Sequence, residues 1–173
     1  TPHAAQAAAP WDTINVADMT NVPAQELARY FISFHAELID KPNLAGVIEP
    51  SASLANERAL ALARNKTGRS KVLCSNLSHS SIKDACEKLG LDVIVVDADP
   101  DQGYHVDQSD VSDVIRRHGK DIGIVVSTYG TTQLGHAERL ATYETIKQLR
   151  EDGTWLHVDA AYGGVISQFS TLI

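Results

Sequence analysis

From Val22 onward, the apolar positions of this chain alternate between a helical period and short, nearly unbroken runs. That is the pattern of helices interleaved with strands covered on both faces. The first unit reads as a helix over roughly residues 24 to 39, with Leu27, Tyr30, Phe31, Phe34 and Leu38 on one face and Lys41-Pro42-Asn43 beyond its end. Gly46-Val47-Ile48 is a short extended piece. It leads into Pro50-Ser51-Ala52-Ser53, where serine is a good N-cap for a helix reaching about Arg64, and Gly68 closes that unit. Lys71 to Ser75 reads as a strand, followed by a helix from about Ser80 that buries Ile82, Ala85, Cys86 and Leu89 and stops at Gly90. Leu91 to Val96 is the next strand, and Asp97 to Gln108 a connecting loop. Val111, Val114 and Ile115 mark a short helix ending at Gly119, and Ile122 to Val126 is a strand buried on both faces. Beyond a loop from Gly130 to Gly135, Leu140, Tyr143, Ile146 and Leu149 define a helix that Gly153 ends before the strand carrying Asp159. Five strand candidates separated by helices predict an α/β fold with a doubly wound, mainly parallel sheet.

No internal repeat or long linker interrupts the 173 residues, so one domain over 22–173 is the simplest count, with residues 1–21 as a flexible lead-in. A net charge of -7 with dispersed basic residues argues against nucleic acid or an anionic membrane as partner. No apolar run is long enough to span a bilayer. Cys74 and Cys86 lack CxxC spacing, so neither a metal site nor a disulfide framework is indicated; two reduced, buried thiols in a cytoplasmic protein are expected. The sequence lacks an initiator Met and ends at Ser167 to Ile173 without a stop signal, so both ends look cut.

Candidate chemistry gathers at strand ends. The stretch Trp155-Leu156-His157-Val158-Asp159 is a short apolar strand that delivers a carboxylate and then breaks into Ala160, Ala161, Tyr162, Gly163 and Gly164. Open parallel sheets bind ligands beyond the carboxyl ends of their strands, and glycines let a planar ligand approach the backbone. An isolated aspartate there more often caps a turn, but three other segments fall on the same sheet edge. Pro50-Ser51-Ala52-Ser53 opens a helix whose free N–H groups and dipole suit a phosphate, although a plain serine cap has the same sequence. Ser78-His79-Ser80-Ser81 would project an imidazole into the crevice, or would simply cap the next helix. The loop from Ser127 through Thr131, Thr132 and Gly135 could line a polar ligand, or be an ordinary turn. A phosphate seat, a ring able to stack, a hydroxyl-rich wall and a buried carboxylate are together what pyridoxal 5′-phosphate requires, with Asp159 keeping the pyridine nitrogen protonated.

On these residues the chain resembles the group II pyridoxal-phosphate-dependent amino acid decarboxylases, which include the aromatic amino acid, glutamate, aspartate and tyrosine decarboxylases. The resemblance runs in order from about Leu27 to Gly164, and the run from Trp155 to Gly164 is its most specific part. It implies the large domain of an aspartate-aminotransferase-like (fold type I) enzyme. It also implies that Ala52 and Ser53 bind the phosphate, that His79 stacks on the ring and helps place the substrate, and that Thr132 lies beside the cofactor. Asp159 would hold the ring nitrogen, and Ala161 would pack against the ring face. His79 and Asp159 are the expected catalytic residues. Pro50 and Leu54 depart from the family's pattern, which usually has further glycine and an acidic residue there. The family's Schiff-base lysine follows the Asp-Ala-Ala-Tyr motif in a His-Lys pair, and none of Lys41, Lys66, Lys71, Lys83, Lys88, Lys120 and Lys147 sits in a matching motif. The small C-terminal domain is likewise not matched.

The resemblance therefore implies a pyridoxal-phosphate-dependent carboxy-lyase acting on an L-amino acid, a small-molecule substrate, present as an incomplete chain and assembled as a homodimer. Alternatives are a carbon-carbon lyase of the sphingosine-phosphate-lyase type and a non-catalytic remnant of the same fold. An NAD domain is disfavoured because no GxGxxG follows a strand, and a metal site at His157 and Asp159 because no third ligand converges.

Overall fold

The computed structural model describes residues 22–138 and 140–164. They fall into two compact units, one ending at Glu49 and the other beginning at Pro50. The expected lead-in over 1–21 and the residues from Ser167 lie outside the described range.

The first unit contains helix α1, Val22–Leu38. Sequence periodicity predicts a buried apolar face, but Tyr30 is 68% exposed and Phe31 51%. The period records that the helix is amphipathic; burial needs an opposing surface as well. Among the described residues Gly46 to Ile48 pairs with no strand; it lies beside α1 instead, where a Cβ on Gly46 would sit 3.2 Å from Ile32.

The second unit supplies the sheet. Helix α2 (Ala52–Thr67) leads to β1 (Lys71–Ser75), α3 (Ser80–Leu89) and β2 (Asp92–Val96). Helix α4 (Gln108–His118), strand β5 (Ile122–Thr128), α5 (Tyr143–Glu151) and β6 (Trp155–Asp159) follow. Between β2 and α4, the expected plain loop instead folds back on itself. There β3 (Ala98–Asp99) pairs antiparallel with β4 (His105–Val106) around a 3-10 turn at Pro100–Gln102. Among the described residues the main sheet has four strands, ordered β2-β1-β5-β6 and all parallel.

Local chemistry sets the boundaries. Ser51 caps α2 by accepting a hydrogen bond from the Leu54 N–H at 3.2 Å. Gly68 and Gly90 end α2 and α3 in the left-handed conformation that glycine tolerates best. The two sheet faces bury separate cores. Leu60 and Ala63 of α2 and Ile82, Ala85 and Cys86 of α3 pack on Val72 and Cys74; on the other face Val111 of α4 and Leu149 of α5 pack with Leu73 and Val125. Strand β5 switches parity because Lys71 pairs with Ile122 while Val72 pairs with Ile124, leaving Gly123 as an extra residue. That bulge puts Ile122 and Val125 in one core and Ile124 and Val126 in the other. No side chain fits there, since a Cβ on Gly123 would lie 2.7 Å from the Arg69 Cβ.

Strand order reverses at β1, whose neighbours β2 and β5 lie on opposite sides. Such a switch point opens a crevice beyond the carboxyl ends of the strands. Among the described residues, no helix is long and apolar enough to cross a membrane.

Candidate active site

Strands β5 and β6 end in register, Thr128 beside Asp159, and both residues are buried. Helices α2 and α3 begin on the same edge. The structure brings all six sequence-predicted site residues, Ala52, Ser53, His79, Thr132, Asp159 and Ala161, to one cleft of about 100 Å³. Asn56, Ser81, Thr128, Gly130 and Tyr162 complete its lining. Other grooves are larger; the two of greatest volume among them are about 900 Å³ beside His105 and Tyr143 and about 840 Å³ between α4 and α5. Neither gathers a helix start, a buried carboxylate and a strand-end hydroxyl, so chemistry rather than volume marks the site.

At the start of α2, Ser51 satisfies Leu54 and Ala55 bonds the Ser51 carbonyl, so Ala52 and Ser53 are the donors a helix leaves over at its first turn. Two free N–H groups with the positive end of the helix dipole behind them suit an anion. His79 both caps α3 and lines the cleft. Its Nδ1 accepts the Ser81 N–H at 3.2 Å and lies 2.9 Å from Ser81 Oγ. The cap and the cleft-lining role coincide.

Asp159 is held from two sides. Its Oδ1 accepts the Ala161 N–H at 3.2 Å and its Oδ2 accepts from Asn56 Nδ2 at 2.9 Å. Two residues earlier on β6, His157 Nε2 lies 2.9 Å from Asn56 Oδ1. Burial pulls the His157 imidazole below its usual range, against the opposing pull of the Asp159 charge. Its ring nitrogen is thus engaged by an amide, and no group of three His, Cys, Asp or Glu that could hold a metal occurs among the described residues.

Below the loop that leaves β5, Glu138 is buried and accepts the Thr128 N–H at 3.1 Å. Burial pushes its carboxyl above the usual range, although hydrogen bonds from Ser75 and Thr128 pull the other way. Among the described residues, the buried hydroxyls of Thr128 and Thr131 have no hydrogen-bond partner. Buried polar groups are nearly always paired, so an orphaned hydroxyl on Thr128 at the cleft is what a polar ligand would satisfy.

The sequence pattern does not single out Asn56 or Ser81. The only signal is spacing: Asn56 lies one helical turn beyond Ala52, and Ser81 two residues beyond His79.

The chain matches the pyridoxal-dependent decarboxylase conserved domain over residues 55–171. It is similar to a probable L-tyrosine/L-aspartate decarboxylase of Methanothermobacter thermautotrophicus, 33% identical over 148 residues, which cover 84% of this chain and 39% of that protein. A protein of the same description from Methanopyrus kandleri is 32% identical over 97% of this chain and 45% of its own length. The chain therefore spans less than half of these curated relatives. Among solved structures, Oryza sativa TDC with PLP and tryptamine has the same fold, with a TM-score of 0.73 at 20% identity over 92% of this chain and 39% of that one. With the domain covering residues 55–171 of its 173, the chain belongs to the pyridoxal-dependent decarboxylase family.

Proposed function

We propose that the cleft holds pyridoxal 5′-phosphate and that the protein of which this chain forms at least part decarboxylates an L-amino acid. The observation that carries the reading is the Asp159 carboxylate, fixed by Asn56 and Ala161 in the same cleft as the first turn of α2 and the His79 ring. The residues fit the cofactor. The amides of Ala52 and Ser53 and the Ser53 hydroxyl would hold its phosphate, Asp159 its ring nitrogen, and Thr132 and Ala161 would line its edge and face. When bound, the cofactor supplies an electron sink for the pair released at the substrate's α-carbon. Asp159 keeps a proton on the ring nitrogen, and His79 orients the ring and the substrate. A homodimer in the cytoplasm belongs to the same reading, and the free, buried Cys74 and Cys86 suit a reducing compartment.

The test has two arms. Pyridoxal 5′-phosphate is titrated into the chain, with Asp159→Ala and Ser53→Ala beside it, and binding is read by absorbance. Carbon dioxide release from 1-¹³C-labelled L-tyrosine, L-aspartate and L-glutamate is then measured with the full-length gene product. Saturable binding weakened by both substitutions, with release from one of these acids, is expected. Absence of binding, or of release from every L-amino acid tried, would overturn the reading.

A further inference from the structure

We infer that Asn56 is a positioning residue, whose single amide aligns the Asp159 carboxylate with the imidazoles of His157 and His79. Asn56 is buried, and both ends of its amide are engaged. Nδ2 donates to Asp159 Oδ2 at 2.9 Å and to Ser81 Oγ at 3.0 Å, and Oδ1 meets His157 Nε2 at 2.9 Å. The amide can sit only one way round. Turned over, its oxygen would face a carboxylate oxygen at hydrogen-bond distance, acceptor against acceptor.

That orientation propagates in both directions. Because Oδ1 can only accept, His157 must carry its hydrogen on Nε2. On the other side, His79 Nδ1 accepts the Ser81 N–H and so carries no hydrogen, and the Ser81 hydroxyl, 2.9 Å away, donates to it while its oxygen accepts from Asn56. Neutral His79 then carries its hydrogen on Nε2. One carboxylate thereby fixes the His157 tautomer through one amide, which also holds the hydroxyl that meets His79. In return, the Asn56 bond and the Ala161 N–H bond define the plane of the carboxylate and leave its remaining lone pairs for the cleft. Burial makes this costly to disturb: removing the amide strands a carboxylate oxygen and an imidazole N–H in a low-dielectric site.

The functional part of the inference rests on the cofactor reading; the tautomer part does not. If Asp159 partners the ring nitrogen and His79 stacks on the ring, Asn56 keeps both in register without touching substrate.

Histidine ¹⁵N NMR of the cofactor-free protein tests the geometry. Wild type should show His157 and His79 as Nε2–H tautomers, and Asn56→Leu, of similar shape without the amide, should release His157 from that preference. Asn56→Ser serves as a second variant if the leucine protein does not fold. In the loaded protein, Asn56→Leu and Asn56→Ser should weaken pyridoxal 5′-phosphate binding by about tenfold or more, the effect of losing one hydrogen bond to a charged group, and shift the absorbance of the bound cofactor. Leu60→Ala, a core change on the same helix, should lower stability without shifting that absorbance. An Nδ1–H tautomer at His157 in wild type, or variants with unaltered tautomers and cofactor absorbance, would overturn the inference. Failure of wild type to bind the cofactor would remove the functional reading and leave the NMR result to decide the geometry.

Discussion

Gly130 and Gly163 pass so close that a Cβ on Gly130 would lie 2.8 Å from the backbone nitrogen of Gly163. That nitrogen donates to the Tyr129 carbonyl at 3.0 Å, so the segments leaving β5 and β6 are joined backbone to backbone beside the cleft. Gly130 also has a φ of +91°, which side chains rarely adopt. Gly135, at +68°, has nothing nearer than 3.8 Å to an added Cβ. Gly135→Ala should therefore cost only the backbone term, about 1 kcal/mol. Gly130→Ala adds the collision and should cost more, about 2 to 3 kcal/mol, and also weaken cofactor binding. Urea midpoints of the two variants check this; equal losses would show that the contact yields without cost.

The half-buried imidazole of His157 gives stability a definite pH dependence. Its folded pKa is depressed from 6.5 by burial, so above 6.5 the group is neutral in both states and its packed environment is intact. As pH falls below 6.5 the unfolded chain takes up the proton first. Stability then declines, with a slope of at most about 1.4 kcal/mol per pH unit, until the folded group also titrates. His157→Gln, which keeps a donor for Asn56, should remove that component. The difference in urea midpoint between wild type and variant should shrink or reverse from pH 7 to pH 5; a constant difference would contradict the assignment.

Much of this architecture is legible from sequence because local physics decides it. Near-continuous apolar runs locate β1, β2, β5 and β6, Gly68 and Gly90 mark helix ends, and Asp159 stands where a parallel strand hands its last side chain to a crevice. What is illegible depends on partners distant in sequence. Asn56 reads as an ordinary helical residue, and its role exists only because Ser81, His157 and Asp159 arrive from positions 25, 101 and 103 residues away. The short pairing of β3 with β4 carries too few residues to produce a period. The apolar stripe of α1 satisfies every helical criterion while Tyr30 and Phe31 remain exposed, because periodicity carries no information about what covers a face.

Cys74 and Cys86 should be unreactive while the fold persists. Both are fully buried and free, and burial pushes each thiol up to about 11. At pH 8 that leaves roughly one thiolate in a thousand, and the thiolate is the nucleophile. Ellman's reagent should thus label neither thiol in the native protein and both in urea, at a native-state rate set by opening of the β1 and α3 core. Rapid labelling of either thiol without denaturant would be incompatible with this packing.

Glu138 should act with the opposite sign to His157. Burial raises its folded pKa above the ordinary 4.5, so its contribution is fully present below 4.5, where it is protonated in both states. As pH rises the unfolded chain ionises first, and stability is lost until the folded carboxyl also ionises, after which the loss is complete. Once ionised, the carboxylate is a desolvated charge. Glu138→Gln keeps an oxygen to accept the Thr128 N–H and removes the charge. The variant should gain stability relative to wild type between pH 4 and pH 7, read as a widening difference in urea midpoint. A difference that does not change with pH would mean that burial does not govern this carboxyl.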